Sequence, residues 1–207
     1  DPVRRSTLRI EGLSASLLLE GLVAGEWFVH SPGGGSVGRY LTALGRARDL
    51  HSIALVGSRD PIADLWGLGA DHVLIREPGI ATRLSELGLP NPRIGFDGSG
   101  GLVSEMLASC LEVGGRLLIY GAATRAPLQL AAGQVVFRQL QLEGFWLHAW
   151  SRGATREEQQ RRIDELSSLG ANMGEYVVER FGLDDWAEAL RLAETPNLRG
   201  RVVFVPT

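Results

Sequence analysis

Lysine is absent from this 207-residue sequence, and all 21 of its positively charged side chains are arginine. Enzymes that form a Schiff base, use pyridoxal phosphate or hold phosphates with a Walker-A loop need a lysine amine, so the sequence excludes these three classes. The arginines are scattered along the chain, and 24 acidic residues give a formal net charge of -3. The sequence therefore offers no basic field for a nucleic-acid backbone.

Cysteine and histidine are scarce. Cys110 is the only cysteine, which excludes an internal disulfide, and the four histidines are too widely spaced to predict a metal site. These counts predict a reducing, cytoplasmic compartment. The sequence has no run of 18 apolar residues, which argues against a membrane span. It begins at Asp1 rather than at a methionine, which indicates a piece of a longer protein.

Glycine, in contrast, is abundant: 27 glycines are close to twice the usual share of about 7% and predict many tight turns. Between these turns, short Val/Ile/Leu runs alternate with amphipathic stretches. Because the runs are continuous rather than alternating, both faces of each strand are expected to be covered, as in a parallel sheet of βαβ units. Strands are predicted at 27–30, 52–56, 72–75, 93–97, 116–120 and 140–147, and helices at 13–22, 37–48, 61–68 and 102–111.

The last quarter of the chain has a different sequence pattern, which begins with a charged stretch. This pattern predicts a helix at 155–169, a strand at 176–181, a helix at 184–193 and a strand at 202–205. The predicted fold is α/β, a Rossmann-type doubly wound, mostly parallel six-stranded sheet with a C-terminal helix-strand-helix-strand extension. The predicted organisation is a linking segment and helix at 1–25, a dinucleotide-binding core at 26–150, and an extension at 151–207 that packs on the same domain.

The loop between the first strand and its helix satisfies two motifs. Gly33, Gly35 and Gly38 spell G-x-G-x-x-G, in which glycines allow a pyrophosphate to approach the N–H groups of a helix N-terminus. The same segment spells G-x-S-x-G, the nucleophile elbow of α/β-hydrolases, with Ser36 as nucleophile. A hydrolase elbow lies in the middle of its sheet, whereas this loop follows the first strand, so dinucleotide binding is favoured. A purely structural turn remains an alternative.

Cofactor preference is expected at the end of the second strand, where a carboxylate indicates NAD and small polar or cationic groups indicate NADP. Asp60 lies there, but Asp60 followed by Pro61 is typical of the start of a helix. Ser58 and Arg59 then remain to meet a 2′-phosphate, so the sequence favours NADPH. A solvated surface arginine is the alternative interpretation of Arg59.

From Leu8 to Val205 the chain resembles the cofactor-binding half of the medium-chain dehydrogenase/reductases, and most closely the NADPH-dependent trans-2-enoyl thioester (enoyl-CoA or enoyl-ACP) reductases. The resemblance is carried by the glycine loop ending Ser36-Val37-Gly38, by Gly69-Ala70-Asp71, by Gly114-Gly115-Arg116 leading to Tyr120-Gly121, and above all by Gly144-Phe145-Trp146-Leu147.

The resemblance implies a cofactor site with three parts. The pyrophosphate falls on Gly35, Ser36, Val37 and Gly38. A further basic position of the cofactor site, before the final strand, falls on Arg201. The 2′-phosphate falls on Ser58 and Arg59. The nicotinamide is bordered by Ser14, Tyr120, Gly121, Ala122, Phe145, Trp146 and Leu147. No metal and no catalytic residue are assigned.

The sequence also departs from the family pattern. Ser36 and Pro32 replace small residues of the loop, and the acid Glu11 lies unexpectedly near the nicotinamide end. The substrate-binding barrel, which supplies the proton-donating tyrosine in the family, has no counterpart in these 207 residues.

The resemblance implies hydride transfer from NADPH to the β-carbon of a 2-enoyl thioester, with a missing substrate domain as partner. The chain alone is expected to bind NADPH weakly and to show negligible turnover. A non-catalytic structural or dimerisation domain of a multidomain synthase is the alternative. A homodimer is expected through the strand near 140–145, without nucleic acid or membrane as partners.

Overall fold

The structure, a computed structural model, describes residues 8–169, 177–195, 198 and 200–205. Its central strands are β1 (Trp27–Ser31), β2 (His51–Val56), β3 (His72–Ile75), β4 (Ile94–Asp97), β5 (Arg116–Ile119) and β6 (Gln141–Gly144). They form one sheet in the order β3-β2-β1-β4-β5-β6, and every neighbouring pair is parallel. This order confirms the predicted Rossmann-type fold, in which the strand order reverses between β1 and β4.

Nine α-helices connect or flank the strands within the described residues. They are α1 (Leu13–Leu18), α2 (Ser36–Ala47), α3 (Ile62–Gly67), α4 (Ile80–Glu86), α5 (Leu102–Cys110), α6 (Ala132–Phe137), α7 (Leu147–Gly153), α8 (Arg156–Leu169) and α9 (Trp186–Ala193). A π-helical turn at Leu8–Gly12 leads into α1, and a 3-10 turn at Leu183–Asp185 leads into α9. No helix in these ranges is long and apolar enough to cross a membrane.

The sheet is covered on both faces, as its continuous apolar strands predict. Phe28 of β1 packs with residues of α1 and α2, whereas the adjacent Val29 packs with residues of α4 and α5 on the opposite face. Both side chains are fully buried. Since successive side chains of a strand point to opposite faces, an apolar residue is needed at every position of such a strand.

The observed elements differ from the predicted ones at several places. The helices α4, α6 and α7 were not predicted, and the predicted strand 140–147 ends at Gly144 because Leu147 already begins α7. The helix predicted at 13–22 ends at Leu18. Tyr176, predicted to begin a strand, lies outside the described residues.

The C-terminal segment packs on the face of the sheet that α1 covers. Leu166 of α8 is buried in the same cluster as Leu17 and Leu18 of α1. The strands β7 (Val177–Phe181) and β8 (Arg201–Phe204) form a separate parallel pair, in which Val177 lies opposite Arg201. This pair brings the start of β8 to the N-terminus of α2. The division of the chain at 25 and 150 stays a prediction.

Candidate functional site

The glycine loop lies at the carboxyl end of β1, between Ser31 and the first residue of α2. Gly35 is the N-cap residue of α2 and has extended backbone angles, with φ −72° and ψ 164°. No side chain caps the N–H groups of the first turn, and a helix provides no internal partners for these groups. The loop therefore presents a positive helix end at the edge of the sheet.

Gly38 sets how closely the loop approaches this helix. A Cβ atom at Gly38 would lie 2.2 Å from the carbonyl oxygen of Pro32 and 2.6 Å from that of Gly33. No side chain larger than hydrogen fits at these distances. The third glycine of the motif is therefore required for close packing of the loop against α2, which is the role expected of it in a dinucleotide-binding loop.

Three residues from distant parts of the chain meet at this helix end. Arg201 donates a hydrogen bond of 3.0 Å from Nη2 to Ser36 Oγ, and the same nitrogen forms an ion pair with the Glu11 carboxylate. Glu11 is only 6% exposed. The structure thus brings together two predicted cofactor-binding residues, Ser36 and Arg201, and it shows the Arg201 guanidinium paired with the Glu11 carboxylate.

Ser36 has no catalytic base in the described structure. Its hydroxyl accepts a hydrogen bond from Arg201. His30, a buried histidine in β1, is instead 3.3 Å from Thr42 Oγ1 through Nε2. A serine nucleophile requires a base within hydrogen-bond reach, so this arrangement does not support the hydrolase interpretation.

A cavity of about 890 Å³ lies beside the glycine loop at the end of β5. Six of the predicted nicotinamide and loop residues line it, namely Ser14, Val37, Tyr120, Phe145, Trp146 and Leu147. Gly121 and Ala122 do not line it; Gly121 instead packs against the backbone of Gly98. The wall also contains residues of α7 and α8 that were not predicted as site residues, namely His148, Ser151, Arg156, Gln159, Gln160 and Ile163, together with Arg9, Ile10 and Leu13 near the start of α1.

Tyr120 is the phenol nearest to this cavity, and its hydroxyl is buried without a hydrogen-bond partner among the described residues. Burial raises the pKa of Tyr120 above its ordinary value, and the charge of Asp97 raises it further. The phenol packs against Gly98, where a Cβ would lie 2.6 Å from the Tyr120 hydroxyl oxygen. Tyr120 therefore stays protonated at neutral pH and is a poor proton donor.

The other end of the site contains two separate grooves. Ser58 lines both of them. A groove of about 430 Å³ runs along the glycine loop and includes Gly34, Gly35 and Arg76. Arg59 instead lines a groove of about 540 Å³ beside β3. The structure thus does not place Arg59 beside the glycine loop, and it brings there an arginine that the sequence did not single out.

The described residues contain no group of three or more His, Cys, Asp or Glu side chains that could hold a metal ion. Asp97, the buried carboxylate at the end of β4, accepts hydrogen bonds from the N–H groups of Ser99 and Gly100 and from the Ser104 hydroxyl. The Asp97 carboxylate is therefore occupied by three hydrogen bonds within the chain, which fix the turn after β4.

No protein-family model matches the chain. The mitochondrial enoyl-acyl-carrier-protein reductase of Dictyostelium discoideum is 28% identical over 211 residues, which cover 96% of this chain and 60% of the relative. Across the similar reductases of other organisms the chain spans between 46% and 61% of their length.

Solved structures show the same architecture. A mycobacterial quinone oxidoreductase superposes with a TM-score of 0.86 at 25% identity, covering 97% of this chain and 64% of the other. The complex of Etr1p with NADP and crotonyl-CoA superposes with a TM-score of 0.81 at 18% identity, covering 91% and 58%. These findings confirm the predicted resemblance to the cofactor-binding half of enoyl thioester reductases in the medium-chain dehydrogenase/reductase superfamily.

Proposed function

We propose that this chain is the NADPH-binding half of an enoyl thioester reductase of the medium-chain dehydrogenase/reductase superfamily. The observation that carries the proposal is the position of the glycine loop. It lies at the reversal of strand order between β1 and β4, with an uncapped helix end on one side and the 890 Å³ cavity on the other. Dinucleotides bind at this switch point in doubly wound sheets.

The pyrophosphate is assigned to the first turn of α2, from Gly35 to Gly38. The close approach enforced at Gly38 keeps this helix end open, and Arg201 adds a cation 3.0 Å from the Ser36 hydroxyl. A pyrophosphate is negatively charged, so the Arg201 cation and the free N–H groups of the helix end together suit it. The pair between Arg201 and Glu11 must open for the cofactor to take that cation.

The nicotinamide is assigned to the cavity beside β5. Tyr120, Phe145 and Leu147 belong to the partly buried apolar side chains that pack on the cluster around α1, and Ser14 contributes a polar group at the same wall. An apolar wall of this kind excludes water from a reacting ring and fixes its face. The cofactor, when bound, supplies the hydride that is transferred to the β-carbon of the substrate.

The proton for the α-carbon is assigned to a group outside this chain. Tyr120 is the only phenol on the described cavity wall, and burial disfavours its ionisation. Turnover is therefore proposed to require a substrate-binding domain in addition to this chain.

A reduction assay tests this division of labour. With NADPH and crotonyl-CoA, the isolated chain is expected to bind the cofactor, seen as a change in NADPH fluorescence that excess NADP reverses, but to give no multiple turnover. Repeated turnover by the isolated chain at the rate of a complete reductase would contradict the assignment of the proton donor to another domain.

A homodimer through β6 is a second part of the proposal. β6 is the last strand of the sheet and has β5 as its only neighbour among the described strands. Apolar side chains near this edge are exposed, among them Phe137 at 83%, Val136 at 63% and Leu142 at 38%. An open edge flanked by apolar residues suits pairing with a second copy. The alternative of a non-catalytic dimerisation domain rests on this same edge and on the Glu11 ion pair.

The proposed compartment follows from the cysteine content of the chain. The scarcity of cysteine favours a reducing compartment, and we retain the cytoplasm as the expectation. The similar reductase of Dictyostelium carries the word mitochondrial in its name.

A further inference from the structure

Among the described residues, the wall of the cavity of about 890 Å³ beside β5 contains cationic side chains but no acidic one. Arg9, His148 and Arg156 belong to this wall. The whole chain, in contrast, has more acidic than basic residues and a formal net charge of -3. A cavity wall with one sign of charge favours a ligand that carries the opposite sign.

The two arginines on this wall keep their donors unused. Neither Arg9 nor Arg156 forms an ion pair or a side-chain hydrogen bond with any residue that the structure describes. The acidic residues at 157–158 follow Arg156 in the sequence but do not line the cavity. Arg162 of the same helix, by contrast, is paired with Glu20. Both wall arginines are exposed, so each can turn its five N–H donors to a ligand.

The wall that α8 contributes changes from cationic to apolar along the helix. Arg156, Gln159 and Ile163 recur at helical spacing and line the cavity from one face of α8. Arg156 and Ile163 are separated by about 10 Å along the helix axis. Beyond Ile163, Leu166 is buried in the cluster around α1. The cationic end of this wall is therefore its exposed end, and the apolar end adjoins the core.

A second wall changes in the same direction. It comes from the π-helical turn and α1, and α8 packs against both. Arg9 is exposed, whereas Leu13, one helical turn further on, is only 5% exposed. The two arginines thus lie at the exposed end of the cavity, and Leu13 and Ile163 lie at its inner end.

A ligand with an apolar chain and a charged end matches this distribution of groups. Under the proposed function, the reacting carbon lies beside the nicotinamide wall at Tyr120 and Leu147. Leu13 and Ile163 then offer apolar contacts to methylene groups, which gain free energy by leaving water. The amides of a pantetheine arm would lose hydrogen bonds to water on the same surface. An acyl chain therefore suits the inner end of the cavity.

We infer that Arg9 and Arg156 bind a carboxylate at the far end of the substrate's acyl chain, so that the site selects dicarboxylic 2-enoyl thioesters. The inference rests on the proposed function and adds a substrate class to it. Guanidinium and carboxylate groups form charge-assisted hydrogen bonds, which are stronger than neutral ones. The Gln159 amide, on the same face of α8, supplies a further N–H donor. For two exposed arginines we expect a gain in affinity of about tenfold.

The test compares two acyl groups that differ only in a terminal carboxylate. The 2-octenedioyl and 2-octenoyl thioesters of N-acetylcysteamine are titrated calorimetrically into the wild-type chain saturated with NADP. This short carrier has no phosphate, so only the acyl group brings a charge. The 2-octenedioyl thioester is expected to bind about tenfold tighter, and the preference should shrink as the ionic strength rises, because the arginines are exposed.

Removal of the two arginines identifies the binding group. The double variant Arg9→Ala/Arg156→Ala should bind the two thioesters with equal affinity. Arg161→Ala is the matched control and should keep the preference, since Arg161 lies on the same helix but not on the cavity wall. Fluorescence titration of each variant with NADPH shows whether the cofactor site is intact.

The inference is overturned if a wild-type chain that binds NADPH binds neither thioester or binds both equally, or if the preference survives in the double variant. The coenzyme A thioesters of the same acyl groups test the other source of negative charge. If the double variant weakens both of these equally and leaves the N-acetylcysteamine thioesters unaffected, the arginines bind carrier phosphates and the inference is wrong. The proposed function stands in all these cases. A wild-type chain that does not bind NADPH would contradict the proposed function and, with it, the inference.

Discussion

At the scale of single residues, Glu11 is the group that most directly opposes cofactor binding. Its carboxylate is buried against Arg201, the cation assigned to the pyrophosphate. A buried ion pair is costly to break, and here it must open before Arg201 can turn to a ligand. The sequence indicated that Glu11 was out of place, but not that it pairs with a residue 190 positions away.

Glu11→Gln is expected to tighten NADPH binding severalfold. The amide retains hydrogen-bonding capacity but no longer competes as an anion for Arg201. Affinity is measured by fluorescence titration. Glu26→Gln is the control, because it also neutralises an arginine-paired acid, 3.0 Å from Arg93, at the opposite end of the strands. Unchanged or weaker NADPH binding in Glu11→Gln would show that the pair does not restrain the site.

His30 predicts how stability depends on pH. Burial lowers its pKa from 6.5 to about 3. The unfolded chain therefore takes up this proton near pH 6.5 and the folded chain does not until about pH 3. The unfolded state binds more protons in that window, so this contribution to stability is complete above pH 6.5 and is lost as the pH falls towards 3.

Between pH 7 and pH 5 this group should remove roughly 2 kcal/mol from the free energy of unfolding. Urea denaturation of the wild type and of His30→Gln at the two pH values isolates the contribution. The variant should lose about 2 kcal/mol less than the wild type over this interval. Equal losses would mean that His30 takes up its proton at the same pH in the folded and the unfolded protein, and that burial does not lower its pKa.

The glycines of the loop were the residues best predicted from sequence. The motif places glycine where the backbone must approach neighbouring residues closely, and its spacing can be recognised from the sequence alone. Arg76 was not predicted, since its place in the groove along the glycine loop depends on the direction in which its side chain extends from the end of β3. Arg59 was favoured by its place in the sequence alone. The groove that Arg59 lines is formed together with residues of β3, so its position depends on how the strands pack in the sheet.

At the scale of elements, the junction between the glycine loop and α2 depends on Gly38. Gly38→Ala places a carbon 2.2 Å from the Pro32 carbonyl oxygen, so the loop must move away from the helix. We expect a loss of about 3 kcal/mol or more in the free energy of unfolding, and loss of NADPH binding. Gly67→Ala is the matched control in α3.

No neighbouring atom lies within 4 Å of the position that a Cβ atom would occupy at Gly67. Because alanine is the better helix former, Gly67→Ala should stabilise the protein by about 0.5–1 kcal/mol. Urea unfolding of the two variants gives both values. If Gly38→Ala is as well tolerated as Gly67→Ala, the close approach of loop and helix is not needed.

Strands were predicted more accurately than helices for a physical reason. The strands of the sheet are buried on both faces, so their apolar runs stand out in the sequence. The helices α4, α6 and α7 have seven, six and seven residues, too short to show a helical period by themselves. The equally short α3 was predicted because the Asp60-Pro61 pair is typical of a helix start. The apolar run Phe145-Trp146-Leu147 was assigned to a strand because large apolar residues favour both a strand and a cavity wall.

At the scale of the whole molecule, the proposed homodimer would form at the open edge of β6, the last strand of the described sheet. The N–H groups of Gln141 and Phe145 donate to β5, at Gly115 and Ile119. Because the backbone of a strand alternates between its two neighbours, the N–H of Leu142 points to the open edge. Proline at 142 would remove this donor without removing a hydrogen bond to β5.

Leu142→Pro is therefore expected to convert a dimer into a monomer while keeping the fold. Leu142→Ala, which retains the N–H group, should leave the dimer largely intact. Analytical ultracentrifugation measures the mass of each variant, and circular dichroism checks the fold. A wild-type chain that is monomeric at high concentration, or a Leu142→Pro variant that remains dimeric, would contradict pairing through β6.

The central claim is that the open helix end, the cavity beside β5 and the groove at Arg76 together form an NADPH site. Calorimetric titration of the wild-type chain with NADPH and with NADH tests it most directly. The account predicts saturable binding of one NADPH per chain, at least about tenfold tighter than NADH. No saturable binding of either cofactor, or tighter binding of NADH, would contradict it.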